Sequence, residues 1–287
     1  MTSPEATVPA AQALGPASQS LPKLPESAIG IDVGGTGIKG GIVDLASGEL
    51  RGERFRIPTP KPATPDAVAE VIGQILQELL ARPEAPAAED LSVGVTFPAI
   101  VIDNVVLTAS NIDPAWINCD TSQLLSDLPG RTFTLNDADA AGLAEARYGA
   151  GNNLAGTMMT VTLGTGVGTA LIHDGVLIPN NELGHAQFEG EVKAENKVSA
   201  ASRERLGMDW PEYGEVLRRY LVYLERIQPV NRFIIGGGIS QNPELFMPYV
   251  TGLRAEVVIA QLVNNAGISG AALFAAEQAR LADSQSS

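Results

Sequence analysis

A strand that runs into a glycine-rich turn and doubles back restricts a fold more than any bulk property, and this chain carries two. Ile29-Gly30-Ile31-Asp32-Val33-Gly34-Gly35-Thr36-Gly37-Ile38-Lys39 takes an apolar strand into a carboxylate and then into the turn. Met159-Thr160-Val161-Thr162-Leu163-Gly164-Thr165-Gly166-Val167-Gly168-Thr169 repeats the pattern far downstream. A second apolar segment follows each turn, at 41–45 and at 170–173. Glycine tolerates positive φ and keeps side chains out of the way. Successive backbone N–H groups can then point at a phosphate. Two such hairpins imply a nucleotide or polyphosphate clamped between two related halves.

The segments between the hairpins alternate in character. Residues 54–57 read as a strand, and 58–65 as an extended proline-rich stretch. Thr64-Pro65-Asp66 then opens a helix with a capping Thr, a proline at the first position and an acid in the first turn. Val68, Val71, Ile72, Ile75, Leu76, Leu79 and Leu80 continue it at helical spacing up to Pro83. Strands are expected at 91–96 and 132–135. Asn136-Asp137-Ala138-Asp139 caps a helix that ends near Tyr148, before Gly149 and Gly151. Helices are expected at 199–206, 211–228 and 266–282, and a buried strand at 233–235 before Gly236-Gly237-Gly238. Strands alternating with helices define an α/β chain. The expected division is a disordered tail over 1–27, an α/β domain over 28–136 joined by helix 266–282, a second α/β domain over 137–265, and a short tail over 283–287.

Bulk properties remove several function classes. A chain of 287 residues with 45% hydrophobic content can bury two cores. No apolar run reaches the roughly 18 residues that a membrane helix needs, and the first residues do not read as a secretion signal. The net charge of −14 opposes general nucleic-acid binding, which relies on counterion release by Lys and Arg. It opposes an anionic membrane surface for the same reason. A small anionic ligand stays possible, because local dipoles and a few cations outweigh the global field. The single cysteine, Cys119, rules out an internal disulfide and a cysteine-based zinc cluster. The compartment therefore reads as the cytoplasm.

Each polar constellation has a chemical use and a plainer one. Asp32, before Gly34-Gly35, either holds Mg2+ through water beside phosphates or caps its turn. Asp137 either serves a helix start or acts as a general base where open α/β sheets bind ligands. Asp139 fits complementation of the helix dipole. Glu182-Leu183-Gly184-His185 sits in a loop. With two histidines in the chain, His173 and His185, a zinc site is not expected, and Glu182 and His185 fit hydrogen bonds to a polyhydroxyl substrate. Asn111 and Asp113 either grip sugar hydroxyls or form an ordinary turn. Lys193, Lys197, Arg203 and Arg205 are either a solvated face or a polyphosphate groove.

Taken together, Ile31-Asp32-Val33-Gly34-Gly35-Thr36, Asn136-Asp137-Ala138, Leu163-Gly164-Thr165-Gly166-Val167-Gly168, Glu182-Leu183-Gly184-His185 and Gly236-Gly237-Gly238-Ile239-Ser240 resemble the ROK family of bacterial sugar kinases, repressors and open-reading-frame proteins. The likeness spans about residues 28–282. Val95-Thr96-Phe97-Pro98 and Ala200-Ala201-Ser202-Arg203-Glu204-Arg205 look like its actinobacterial polyphosphate glucokinase and glucomannokinase branch. The resemblance implies an actin-like ATPase (ribonuclease H-like) fold, with two α/β domains around a cleft and the last helix packed on the first. It implies Asp137 as base and Asn111, Asn136, Glu182, His185 and Glu195 as sugar ligands. It implies Asp32, Gly34, Gly35, Thr36, Gly37, Lys39, Gly164, Thr165, Gly166, Gly168, Gly236, Gly237 and Gly238 at the donor phosphates, with Mg2+ at Asp32. It further implies ATP or inorganic polyphosphate as donor, glucose as acceptor with mannose as an alternative acceptor, and a homodimer. The cysteine-rich zinc motif of most family members has no counterpart here. Ala99 stands after Phe97-Pro98 where glycine is usual.

Three rivals compete with a hexose kinase. A sugar-sensing repressor needs a DNA-binding segment that 1–27 is too short and proline-rich to supply. An actin-like filament or chaperone ATPase shares the hairpins but not the Glu182-to-His185 loop. A dinucleotide enzyme needs Gly-x-Gly-x-x-Gly before a helix, whereas the second hairpin has the wrong spacing and leads into a strand.

Overall fold

The computed structural model describes residues 23–109, 112–263 and 265–286. The chain opens with β1 (Ser27–Val33), β2 (Ile38–Asp44) and β3 (Phe55–Ile57), then α1 (Pro65–Leu80) and β4 (Ser92–Phe97). A small hairpin of β5 (Val101–Ile102) and β6 (Val105–Val106), a turn of helix α2 (Thr121–Leu124), β7 (Arg131–Asn136) and α3 (Asp137–Tyr148) complete the first half. The second half runs through β8 (Thr157–Leu163), β9 (Val167–His173), β10 (Val176–Ile178), α4 (Glu195–Val198), α5 (Ala200–Leu206), α6 (Trp210–Ile227), β11 (Arg232–Gly236), β12 (Glu256–Ile259) and α7 (Ala266–Ser286).

The halves repeat one topology. The first sheet has the order β3-β2-β1-β4-β7 and the second β10-β9-β8-β11-β12. In each, an antiparallel meander of three strands is extended by two strands parallel to the first of them. The parallel register brings Asp32 beside Thr96, and Phe97 beside Asn136, at one edge of the first sheet. It brings Gly236 beside Thr162 at the matching edge of the second. Carboxyl ends of parallel strands are where open α/β sheets take ligands.

Helical periodicity decides the outer layers. In α1, Val68, Val71, Ile72, Ile75, Leu76 and Leu79 are buried, against the core face of the first sheet. In α6, Tyr213, Val216, Leu217, Tyr220, Leu221 and Leu224 do the same for the second. Thr64 stands at the N-cap of α1, but its side chain makes no capping bond, so Pro65 supplies the start.

Between the sheets lie α7 and α3, and here the packing is backbone against backbone. A Cβ on Gly30 of β1 would overlap the Ile268 carbonyl of α7, and one on Gly94 of β4 would overlap that of Ala271. A Cβ on Gly270 would overlap the Ala140 carbonyl of α3, and one on Gly142 of α3 would strike Ala170 of β9. The layers therefore read first sheet, α7, α3, second sheet, with small residues at every crossing. Ala140 and Ala271 are fully buried at the centre of this stack.

The ends depart from the composition-based reading. Residues 1–22 of the expected tail lie outside the described residues. Residues beyond them already join the fold, because Leu24 packs beside Ile268 and Leu273, and the Glu26 carbonyl accepts from Leu45 N at 3.0 Å. At the other end α7 continues past 282, where Arg131 pairs with Asp283 at 2.7 Å. Long-range pairing, invisible to local composition, orders both.

Replacing Gly94 by alanine should destabilise the protein by about 1–3 kcal/mol, the usual cost of forcing atoms into a packed interior. Urea unfolding measures it, and an unchanged midpoint would show that α7 is not seated on β4 as described.

Candidate active site

The cleft between the two sheet edges holds two adjoining cavities. One, about 480 Å3, is lined by Gly34, Gly35, Thr36, Pro98, Ala99, Asn136, Asp137, Gly164, Thr165, Gly166, Glu182, His185 and Glu195. The other, about 250 Å3, is lined by Asp32, Lys39, Asp137, Glu145, Gly236, Gly237, Gly238, Val263 and Gly267. Asp137, Thr162 and Gly237 border both.

Asp137 begins α3. The side chain of Asn136 caps that helix, its Oδ1 accepting from Ala138 N at 2.8 Å and Asp139 N at 3.0 Å. The amide of the same Asn136 donates to the Ala99 carbonyl at 3.1 Å and approaches Glu182 Oε1 at 3.4 Å. Asn136 is 6% exposed, so these bonds have little competition from water. They fix the first turn of α3 against both the loop after β4 and the loop after β10. Asp137 Oδ1 accepts from Ala138 N at 2.8 Å. Burial, reinforced by the nearby charge of Asp32, pushes the Asp137 carboxyl up to about 7, against the opposing backbone bond.

Across the smaller cavity, Asp32 Oδ1 accepts from Thr96 Oγ1 at 3.0 Å, and its Oδ2 lies 3.6 Å from Lys39 Nζ. Gly267, at the start of α7, faces the Asp32 carboxyl closely enough that a Cβ would lie 3.2 Å from its carbon. Among the described residues no group of three or more metal-type side chains gathers. Mg2+ does not require one, since it keeps several waters and binds through one or two carboxylates plus phosphate oxygens. Asp32, facing this polar cavity beside Lys39, is an oxygen donor of that kind.

The other cavity holds a second polar cluster. His185 Nδ1 lies 3.5 Å from Glu182 Oε2, and its Nε2 lies 3.7 Å from Glu195 Oε1. Lys193 Nζ approaches the same Glu195 oxygen at 3.5 Å. Burial raises the Glu182 carboxyl above its ordinary range, with His185 opposing the shift and Glu195 adding to it. Leu183–His185 form a single 3-10 turn, as Gly184 permits: a Cβ there would collide with the Val167 carbonyl. Asn111, expected beside this cluster, lies outside the described residues. Its neighbour Asp113 is used as a cap, accepting from Ala115 N at 2.9 Å.

The hairpin turns differ in mechanism from the sequence reading. None of Gly34, Gly35, Gly37, Gly164 or Gly166 has positive φ, so glycine is not there for a left-handed backbone. Its use is absence of a side chain. A Cβ at Gly35 or Gly164 would meet nothing within 4 Å and would point into open space. A Cβ at Gly166 would lie 2.7 Å from Glu195 Oε2. The Gly34 and Gly164 amides are engaged within their own turns, by Gly37 O at 3.2 Å and Gly166 O at 3.1 Å. The turn tips Gly35, Thr36, Thr165 and Gly166 line the larger cavity, as does Gly168. Gly37 borders neither cavity and sits against the Arg56 guanidinium. Left-handed backbone appears instead at Gly237 (φ 83°), where a Cβ would run into Leu163.

Other sequence-level expectations change once contacts are known. Asp139 is more than a dipole partner. It is 1% exposed, its Oδ2 accepts from Asn180 N at 2.7 Å, and burial pushes its carboxyl up to about 7. The basic cluster is largely paired. Lys197 bonds Glu189 at 2.8 Å, and Arg203 stacks 4.1 Å over Trp210. Arg205 lines a separate cavity of about 450 Å3 beside Thr165 and Gly166, which also contains Glu191 and Glu195. Thr96 and Gly267 were missed as site residues. Thr96 carried a faint signal as a polar residue in an otherwise apolar strand end, whereas Gly267 carried none.

Comparison with known proteins identifies the family and the fold. The ROK family profile matches residues 28–205. The polyphosphate glucokinase of Mycobacterium tuberculosis (strain ATCC 25618 / H37Rv) is 44% identical over 246 residues, which cover 85% of this chain and 89% of that protein. The polyphosphate glucokinase of Mycobacterium leprae (strain TN) is 39% identical over 275 residues, covering 95% and 82%. Among solved structures, inorganic polyphosphate/ATP-glucomannokinase from Arthrobacter sp. strain KM superposes with a TM-score of 0.81 at 54% identity, covering 88% of this chain and 99% of that one. A ROK family glucokinase from Streptomyces griseus, solved with glucose and AMPPNP, shares the fold with a TM-score of 0.74 at 24% identity, covering 88% and 99%. The chain has the actin-like ATPase fold of these sugar kinases and belongs to the ROK family.

Proposed function

We propose that this protein transfers a phosphoryl group from polyphosphate or ATP to the 6-hydroxyl of glucose. The observation that carries the reading is the position of Asp137, a titratable residue that borders both cavities at once. The larger cavity offers Asn136, Glu182, His185 and Glu195, a set of acceptors and donors suited to adjacent hydroxyls. The smaller offers Lys39 and the Gly236 to Gly238 backbone, suited to phosphate oxygens. The identity to polyphosphate glucokinases supports the donor and acceptor. The 54% identity to a glucomannokinase supports mannose as a second acceptor.

In the reaction, Asp137 takes the proton of the sugar hydroxyl as its oxygen bonds to phosphorus, and the bond from phosphorus to the leaving phosphate breaks. The transition state of such transfers is loose, so positioning and charge stabilisation supply most of the rate. Asn136 aims the base by capping its helix. Glu182, His185 and Glu195 orient the sugar so that its hydroxyl meets Asp137 rather than water. Lys39 and the Gly236 to Gly238 backbone hold the donor in the smaller cavity, and the hairpin tips line the larger cavity on the other side of Asp137. Asp32, with Asp137 nearby, would hold Mg2+ through water, and the ion would supply charge neutralisation at the donor phosphates. Approach of the two halves excludes water and limits wasteful hydrolysis.

A coupled assay with glucose and with mannose, each against ATP and polyphosphate, tests the proposal. Formation of no sugar phosphate with any pair would refute it. Replacing Asp137 by asparagine should lower turnover by about a hundred- to ten-thousand-fold, the usual range for a general base, while glucose still binds in calorimetry. Near-normal turnover in that variant would remove Asp137 from the chemistry.

The pH profile is a separate check. A base must be ionised, and the raised carboxyl of Asp137 is protonated below about 7. Activity should therefore fall on acidification, by about tenfold per pH unit well below that point. An acidic limb centred near the ordinary carboxylate range would mean that the base is a solvated group.

A further inference from the structure

Glu145 occupies the last turns of α3, on the helix that starts with Asp137. It is 1% exposed, and no cation pairs with it among the ion pairs of the described residues. Its carboxylate instead accepts three backbone N–H bonds. Oε2 accepts from Ala150 N at 2.8 Å, and Oε1 from Gln261 N at 2.9 Å and Leu262 N at 2.7 Å. The last two donors lie 116 and 117 residues away in sequence. They belong to the loop between β12 and α7, and its residues Ala260 and Val263 line the smaller cavity. Val263 has φ 39°, an unfavourable backbone for a β-branched residue. Such a conformation persists only where its surroundings impose it, and the two bonds to Glu145 act on the residues just before it.

We propose that Glu145 is a positioning residue that fixes the outer wall of the donor cavity relative to the base. It rests on the kinase reading above and deepens it. Asp137, Ala138, Ala141 and Glu145 all border the smaller cavity, so one face of α3 forms its floor. Eight residues of helix separate the two carboxylates, about 12 Å along the axis at 1.5 Å per residue. One end of this rigid rod presents the base, and the other grips the wall. Helix α3 thus sets the span between the reacting hydroxyl and the far end of the donor group. Gly149 protects the grip, because a Cβ there would collide with Glu145 Oε2.

The test uses full-length protein carrying Glu145→Gln. The amide can keep its oxygen toward Gln261 and Leu262 only by turning its NH2 onto Ala150 N–H, so a bond is lost in either orientation. Steady-state kinetics should show the donor KM raised about tenfold, with glucose KM and kcat close to wild type, the pattern of lost uniform donor binding. Hydrogen exchange followed by mass spectrometry should show faster exchange in the segment 260–263 and unchanged protection at the start of α3. Titration with ATP and with polyphosphate, without sugar, should show the same weakening as the donor KM. Gly149→Ala, which displaces the carboxylate without removing it, should reproduce both effects should the first variant fail to fold. Unchanged donor affinity, unchanged exchange at 260–263, or equal losses of glucose and donor affinity would each overturn the proposal. A wild-type protein that binds donor but phosphorylates no sugar would refute the kinase reading alone, provided that Glu145→Gln still weakens donor binding. A wild type that binds neither donor would overturn both.

Discussion

The close seating of α7 between the first sheet and α3 is the constraint on which the site depends. Backbone carbonyls of α7 occupy the space that side chains of Gly30 and Gly94 would take, and Gly270 lets α3 approach equally closely. Contact at this range cannot slide, because interiors packed to crystal-like density do not deform continuously. The carboxyl edge of the first sheet, where Asp32 stands, is thereby held against the N-terminal turn of α3, where Asp137 stands. Gly267, at the start of the same α7, borders Asp32 directly. One helix therefore sets both the union of the halves and the shape of the cavity between them.

That geometry collects like charge. Asp32, Asp137, Glu182 and Glu195 face the cleft of a chain that already carries −14. Burial first, and then the charge of Asp32 on Asp137 and of Glu195 on Glu182, raises these two carboxyls. For a base the perturbation is useful, since a proton acceptor works best with a pKa near the working pH. The arrangement also defines what must enter with an anionic donor. In the proposed reaction Lys39 and the backbone amides would offset part of its charge, and a hard cation held at Asp32 would offset the rest.

Much of this was legible in the sequence because its signals are local. A period of 3.6 residues buries Val68 to Leu79, and Asn136 before an Ala-rich run announces the start of α3. The repeated strand-turn-strand pattern foretold two related sheets. What escaped depends on partners distant in the chain. Glu145 reads as an ordinary late-helix acid until its contacts with 261 and 262 are seen. Asp139 reads as a helix-start acid until Asn180 is found against it. The strands β10 and β12 are short edge strands whose existence rests on pairing rather than on pattern. For the turn glycines the sequence offers two reasons, positive φ and empty space, and does not separate them; at Gly35, Gly164 and Gly166 only the second applies.

The fate of the basic cluster limits how a polyanion can be held. Lys197 is committed to Glu189, which Arg219 also bonds at 2.6 Å, and this pair of cations holds the Glu189 carboxyl at about 2. Arg203 is committed to Trp210. A long chain of phosphates following these residues would have to break contacts already made, and each replacement returns little net energy at an exposed site. Arg205 differs, since it borders a cavity next to the second hairpin, although two carboxylates share that space. Lys39, which borders the smaller cavity beside Asp32 and Asp137, is not part of that paired cluster. In the proposed reaction, a donor gripped at its reacting end and loosely elsewhere could equally be a nucleotide or the end of a polymer, because such a site would read the phosphates nearest the base and little beyond them.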